Sequence, residues 1–330
     1  MTSDGGIAGE VYFQRLPAKP SQSSPHALVR GAQVTVEGTS FKAITDESGQ
    51  FSLPQIPPGS YDLTVAQEQF RQPTHVRVVV QPGQNTTVSV PMGEVYYLGI
   101  GVAAYQDTKV ERLEVPPREA RALVDILSRG LAGDVTLLTD AQATKRNIRD
   151  TLLRIAAQLR PDDFLVIYFS GHAGRDLARP RGSLDRYYLQ PVDSDTDDPD
   201  SDIYAGDLVN WLAKAPDPRH IVLMMDSCHA AGIATAIRTL QKDGRHYTIL
   251  AASAAEESSI DTRDGGVFTS SIIRGLTNAR KQVDTNHDHQ ITARELYTYT
   301  APRTTKTAGA LGETQHPQLS TDDDPALLRY

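Results

Sequence analysis

One cysteine, Cys228, stands in 330 residues, so no internal disulfide can form and nothing ties the chain to an oxidising compartment. Nor does any stretch approach the roughly 20 consecutive apolar residues that span a bilayer. The opening Met-Thr-Ser-Asp-Gly-Gly lacks the basic and apolar regions of a secretory leader. These absences point to a cytoplasmic address with no membrane partner. A basic excess is missing too: 33 Lys and Arg face 41 Asp and Glu, a net charge of −8, which leaves no electrostatic footprint for nucleic acid. The local cluster Arg175 to Arg186 reads as a solvated loop. With 39% hydrophobic and 22% charged residues the chain is of ordinary globular composition, and its length favours two domains.

The hydrophobic pattern divides the chain at about residue 92. Before it, apolar residues alternate at Ala32/Val34/Val36, Phe51/Leu53, Tyr61/Leu63/Val65, Val76/Val78/Val80 and Val88/Val90, the period of half-buried strands. Asp46-Glu-Ser-Gly49, Pro57-Pro-Gly59 and Pro82-Gly-Gln-Asn85 supply turns. The expectation for residues 1–92 is a small all-β sandwich, with an exposed loop at Leu16 to Pro25. No chemistry is visible there, which suits a structural or docking module that could receive an activator.

Residues 93–330 follow another rule. Val95 to Val102, Val135 to Leu138, Phe164 to Phe169 and Ile221 to Met225 are apolar runs suited to strands buried on both faces. Between them Ala120, Leu123, Val124 and Leu127, then Ile148, Leu152, Ile155, Ala156 and Leu159, recur at helical spacing, and Leu208 to Leu212 is helix-like. The expected fold is α/β, a mostly parallel sheet flanked by helices, with working residues at the carboxyl ends of strands.

Two strands end in polar clusters of small residues. One runs into Ser170-Gly-His172-Ala-Gly174, the other into Asp226-Ser-Cys228-His-Ala-Ala-Gly232. A thiol needs a base to become a thiolate at neutral pH, and an imidazole is suited to take that proton and return it to a leaving amine. Cys228 therefore reads as nucleophile and His172 as general base. His229 is a rival base, although adjacent side chains leave a strand end in different directions. The duller alternative is a buried, inert cysteine and a satisfied histidine. Zinc would need further Cys or His ligands, which the sequence does not offer at short spacing.

The strings YFSGHAG and DSCHAAG, each closing a buried strand, resemble the paired histidine and cysteine motifs of the caspase-like peptidases, closest to the bacterial metacaspase or orthocaspase branch. The likeness covers residues 94–330, including YYLGIGV, LLTDAQATKRNIRDTL and HPQLSTDDD. The 56 positions from His172 to Cys228 lie near the roughly 50 of caspases. Residues 31–65, with their T-D-x-x-G-x-F and P-P-G-x-Y turns, resemble the carboxypeptidase regulatory-like (transthyretin-like) sandwich.

The peptidase resemblance implies a fold, an activity and a pocket. Backbone N–H groups of Cys228 and of the residue after His172 would form the oxyanion hole. That residue is glycine in the family and Ala173 here, a departure that matters if the position needs positive φ. Asp226 and Ser170 match positions that receive a basic P1 side chain, and Glu119 stands in for the usual aspartate of a third, so protein substrates with exposed Arg or Lys sites are implied. Asp226 could instead only brace the cysteine loop. No cofactor is required for this chemistry. A catalytically weak or inactive binding component controlled by a partner is the rival reading. An enzyme of this specificity would also nick its own basic loops, Arg175 to Arg186 and Arg238 to Arg245.

Calcium has two candidate places. Asp284, Asn286, Asp288, Gln290, Thr292 and Glu295 fall at EF-hand positions 1, 3, 5, 7, 9 and 12, with His289 where the loop glycine belongs. This string could equally be a structural turn. The run Asp193 to Asp202 holds six aspartates in ten residues, near where the resemblance implies an activating calcium, and could instead be a solvated loop.

Overall fold

The structure is a computed structural model that describes residues 3–13, 27–67, 73–93, 95–131, 133–159, 163–180, 186–214, 220–240, 246–322 and 324–330. The loop expected at Leu16 to Pro25 lies outside the described residues, as do 181–185 and 241–245 of the two basic segments expected to be nicked. The chain forms two compact units, residues 1–94 and 95–330.

The first unit is a sandwich of two four-stranded sheets. In one, Gly5–Phe13 pairs antiparallel with Ala27–Leu28 and Gln50–Ile56, and parallel with Asn85–Pro91. In the other, Lys42–Ile44, Gln33–Val36, Gly59–Ala66 and Thr74–Val80 run antiparallel. Val34, Val36, Phe51, Leu53, Leu63, Val65, Val78 and Val80 meet in one core, as their alternation required. Asp46 closes its turn by accepting from the Ser48 and Gln50 amides at 2.8 and 2.9 Å, while Gly49 takes the positive φ, 67°, that glycine tolerates.

The second unit is built on a six-stranded sheet. Its strands are β1 (Val95–Gly101), β2 (Gly133–Thr139), β3 (Phe164–Ser170), β4 (His220–Asp226), β5 (His246–Ala251) and β6 (Gln318–Thr321). The order across the sheet is 2-1-3-4-5-6, parallel except for β6. Crossover helices α1 (Pro116–Gly130), α2 (Lys145–Ala156), α3 (Ala205–Leu212) and α4 (Ala230–Leu240) follow the strands, and α5 (Val267–Leu276) and α6 (Ala293–Ala310) come after β5. One face packs Tyr97, Val166, Tyr168 and Met224 against Leu123, Leu127, Phe268 and Leu276. Every residue of β1 and β3 is buried, which is why both read as unbroken apolar runs.

Val135 to Leu138 departs from expectation. Instead of a strand buried on both faces, β2 is an edge strand with Val135 38% exposed. An edge leaves one flank without a neighbouring strand, and a short apolar run does not distinguish that from a centre position.

Where β1 ends, its backbone lies against the start of α1. A Cβ on Gly101 would meet the Pro116 carbonyl. Gly101→Ala should therefore cost about 2 kcal/mol of stability, the usual scale of overpacking, read as a lower urea midpoint with unchanged slope.

Candidate active site

Strands β3 and β4 pair in parallel from Phe164↔His220 to Ser170↔Asp226. His172 and Cys228 each stand two residues past that last matched pair, on strands whose axes lie roughly 4.8 Å apart. Gly171 bridges the gap on one side, its N–H reaching the Asp226 carbonyl at 3.4 Å. Its φ is 154° and a Cβ there would press on the Tyr105 hydroxyl, Phe169 and Val102, so glycine is needed before the histidine.

The loop after β1 fixes the imidazole. Asp140 accepts from the Ala103 and Ala104 amides at 2.8 and 2.9 Å and anchors that loop. Tyr105 lies on the imidazole at a ring-centroid distance of 5.1 Å, and its hydroxyl accepts from the His172 amide at 2.7 Å. Burial pushes the Tyr105 phenol well up, so it stays neutral. His172 Nε2 lies 2.8 Å from the Glu111 carbonyl. A carbonyl only accepts, so Nε2 carries the proton and the lone pair is left on Nδ1.

Cys228 is partly exposed and free. Among the described residues, no group accepts a hydrogen bond from its backbone N–H. Its neighbour His229 takes φ 57°, and its Nδ1 is engaged with the Ala255 carbonyl at 2.8 Å. Burial lowers the His229 pKa. The rival base is therefore held in the wall of the cysteine loop. Ala173 opens a short strand, Ala173–Arg175, paired with Tyr187–Leu189, and is not among the residues of positive φ. Extended backbone suits alanine, so the departure from glycine brings no strain.

Behind the strand ends lies a group of acids. Asp226, 4% exposed, accepts at Oδ2 from the Thr269 amide and hydroxyl at 3.1 and 2.6 Å, and at Oδ1 from Ser259. Glu119, also 4% exposed, accepts from the Gly266 amide at 2.7 Å and from the Ser170 hydroxyl at 3.4 Å. A Cβ on Gly266 would meet carboxylate oxygens of both Asp226 and Asp261. Among the described residues, no lysine or arginine pairs with any of the three. Burial first, then the Asp226 charge, pushes Glu119 up to about 8. Burial likewise raises Asp226, and Asp261, open to solvent on one side, rises to about 6 for the same two reasons as Glu119. Sequence reading found Ser170, Asp226 and Glu119 but missed Asp261, Ser259 and Thr269, whose residue types carry no signal outside the fold.

The two stretches expected to hold calcium lie elsewhere. In the first, Asp284 accepts from the Asp288 and His289 amides and the Tyr330 hydroxyl, Asn286 and Asp288 cap the turn, and Glu295 accepts from Thr285 and Thr292. Gln290–Thr292 pairs with Ala326–Arg329, and His289 takes φ 63° at the glycine position. In the second, Asp193 accepts from the Lys145 amide at the start of α2, and Asp202 from the Ser194 hydroxyl. The Lys145 ammonium donates to the Asp200 and Asp202 carbonyls at 2.8 and 2.6 Å, so a cation already sits among those oxygens. The run is thus a folded loop. Among the described residues, no three His, Cys, Asp or Glu gather as metal ligands do. Both sets of donors are engaged internally and fit self-satisfied turns, and no chemical step is routed through calcium.

Comparison with known proteins accords with this geometry. The caspase domain family matches residues 97–325, and the carboxypeptidase regulatory-like domain family matches residues 22–93. The chain belongs to the caspase domain family. It is similar to Metacaspase-1 of Schizosaccharomyces pombe, 23% identical over 168 residues, covering 46% of this chain and 37% of that protein's length. Its fold is similar to the crystal structure of protein GSU0716 from Geobacter sulfurreducens, with a TM-score of 0.53 at 18% identity over 72% of this chain and 97% of that one. Among the described residues no helix is long and apolar enough to cross a membrane.

The acid group has a measurable consequence. Glu119 titrates near 8 when folded against an ordinary 4.5, so across that window the folded chain keeps a proton that the unfolded chain has released. Its contribution to stability is complete below pH 4.5 and is lost as pH rises through about 8. Glu119→Gln should flatten this part of the decline, measured by urea midpoints across the window.

Proposed function

We propose that the protein is a cysteine endopeptidase acting through a Cys228–His172 dyad and cleaving after Arg, with Lys second. One observation carries the reading: three carboxylates without a counter-ion among the described residues stand beside the two strand ends that bear Cys228 and His172. A buried carboxylate without a cation is costly, and a guanidinium of the substrate would relieve it with charge-assisted, bidentate hydrogen bonds. Lysine brings the same charge without the fork.

In this mechanism Nδ1 of His172 takes the Cys228 thiol proton, and the thiolate attacks the carbonyl carbon after the basic residue. The oxyanion accepts hydrogen bonds from the backbone N–H groups of Cys228 and Ala173. As the tetrahedral intermediate collapses, His172 returns the proton to the leaving amine, and a thioester remains on Cys228. Water, deprotonated by His172, then hydrolyses the thioester and frees the thiol. The Glu111 carbonyl keeps the ring oriented and supports the imidazolium that forms twice in each turnover.

Cys228→Ala and His172→Ala should each lower kcat/KM by about 10³-fold or more at unchanged stability. His229→Asn, which can keep the positive φ, should retain turnover within about tenfold. Wild-type rates in either dyad variant, or loss confined to His229, would contradict the assignment.

Specificity has its own test. A P1 cation favours the ionised acids, so binding expels the proton held near Glu119. The Kd of an Arg peptide for the Cys228→Ala protein should therefore rise as pH falls below about 8, by up to about tenfold per unit. Asp226→Asn should reduce Arg-peptide kcat/KM by about 10²-fold, because the remaining partner stays desolvated. A peptide library cleaved after Asp would refute the basic pocket.

A further inference from the structure

On the other side of the wall that bounds the acid group lies a groove of about 550 Å³ with the opposite charge. The wall is the hairpin of Asp261–Thr262 and Gly265–Gly266 followed by the first turn of α5. Gly266 donates to Glu119 and Thr269 donates twice to Asp226, while Thr262, Gly265, Ser270 and Ser271 line the groove. Acid pocket and groove are therefore separated by one layer of backbone.

Three cations converge on this groove from two helices. Arg274 stands one turn beyond Ser270 on α5, and Arg303 and Lys306 share a face of α6 at i, i+3 spacing. Arg303 is held over the Tyr299 ring at 3.6 Å and donates to the Tyr299 carbonyl, so it is prepositioned. Among the described residues none of the three pairs with a carboxylate. Among the described residues, Asp264 is the one acid in the lining. In a chain of net charge −8 this local excess stands against the background.

We propose that the groove is a second specificity subsite, which takes an acidic side chain of the same peptide whose basic residue enters the acid pocket. This rests on the basic-P1 reading. The pairing of opposite sites sets register as well as affinity: the cations repel a misplaced P1 arginine and the acids repel a misplaced carboxylate. Arg274 lies five helical residues, or about 7.5 Å, along the axis from Thr269. An extended peptide advances about 3.3 Å per residue, so the acidic residue stands roughly two to four positions from the scissile arginine.

The test walks a single Glu through four positions on each side of Arg in an otherwise Ala-flanked peptide. One position two to four residues from Arg should raise kcat/KM about tenfold over the Ala-flanked peptide, and the gain should fade as ionic strength rises. In Arg274→Ala/Lys306→Ala the ratio between the two peptides should fall to about one, and Lys306→Glu should turn the preference toward Lys at that position. A ratio near one at every position in the wild type, or a gain that survives in the double variant, overturns the subsite. Wild-type protein that cleaves neither Arg nor Lys peptides would refute the basic-P1 reading and the subsite with it. Turnover of the Ala-flanked Arg peptide tells that failure from the groove's own.

Discussion

The paired register of two buried strands is the constraint on which the site depends. β3 and β4 are each seven residues long, match residue for residue, and finish on Ser170 and Asp226. Parallel pairing with common ends delivers two loops at one place, so that Gly171 and His172 on one side face Ser227 and Cys228 on the other. A slip of one residue would turn Ser170 or Asp226 to the opposite face and withdraw His172 or Cys228 from the other's loop. Close packing on both faces holds that register, because a slipped strand would present side chains of the wrong size to the helices that cover it.

That rigidity lets the chain tolerate an acid group that costs stability. The two buried acids would disperse in a softer structure, but each is tied by donors on separate elements: Glu119 by Gly266 and Ser170, Asp226 by Thr269 and Ser259. Tyr168, fully buried beneath them, hydrogen-bonds the Thr269 hydroxyl at 2.7 Å and extends the network into the core. Local instability placed in a well-packed frame is a recurrent property of sites that act on charged ligands.

The sequence made the strand ends and the dyad candidates legible because each is a side-chain type at a recognisable break between apolar run and polar loop, and family resemblance pointed to Ser170, Asp226 and Glu119. What it hid were backbone atoms and distant partners. The Glu111 carbonyl that sets the His172 tautomer has no residue signature, and Tyr105 looks like any loop tyrosine until it is seen against the imidazole. The aspartate run left its organiser hidden for the opposite reason. Its charges are conspicuous, yet Lys145, some fifty residues earlier, organises it. The edge position of β2 was equally invisible, since hydrophobicity reports burial and not which neighbour provides it.

The late part of the chain completes this frame. Gln315 is fully buried, donates to the Ala252 carbonyl and the Ser259 hydroxyl at 3.0 and 3.1 Å, and accepts from the Ile260 amide at 3.2 Å. Ser259 in turn donates to Asp226. His316 beside it binds Glu257, whose carbonyl accepts from the His229 amide next to Cys228. One dipeptide just before the antiparallel strand β6 thus braces both the acid group and the cysteine loop. The parallel strands alone would leave the segment between β5 and α5 unsupported, because a crossover sheet supplies no backbone partners beyond its strand ends. The reversed strand brings the chain back to that end of the sheet, and its entry residues furnish the missing donors and acceptors.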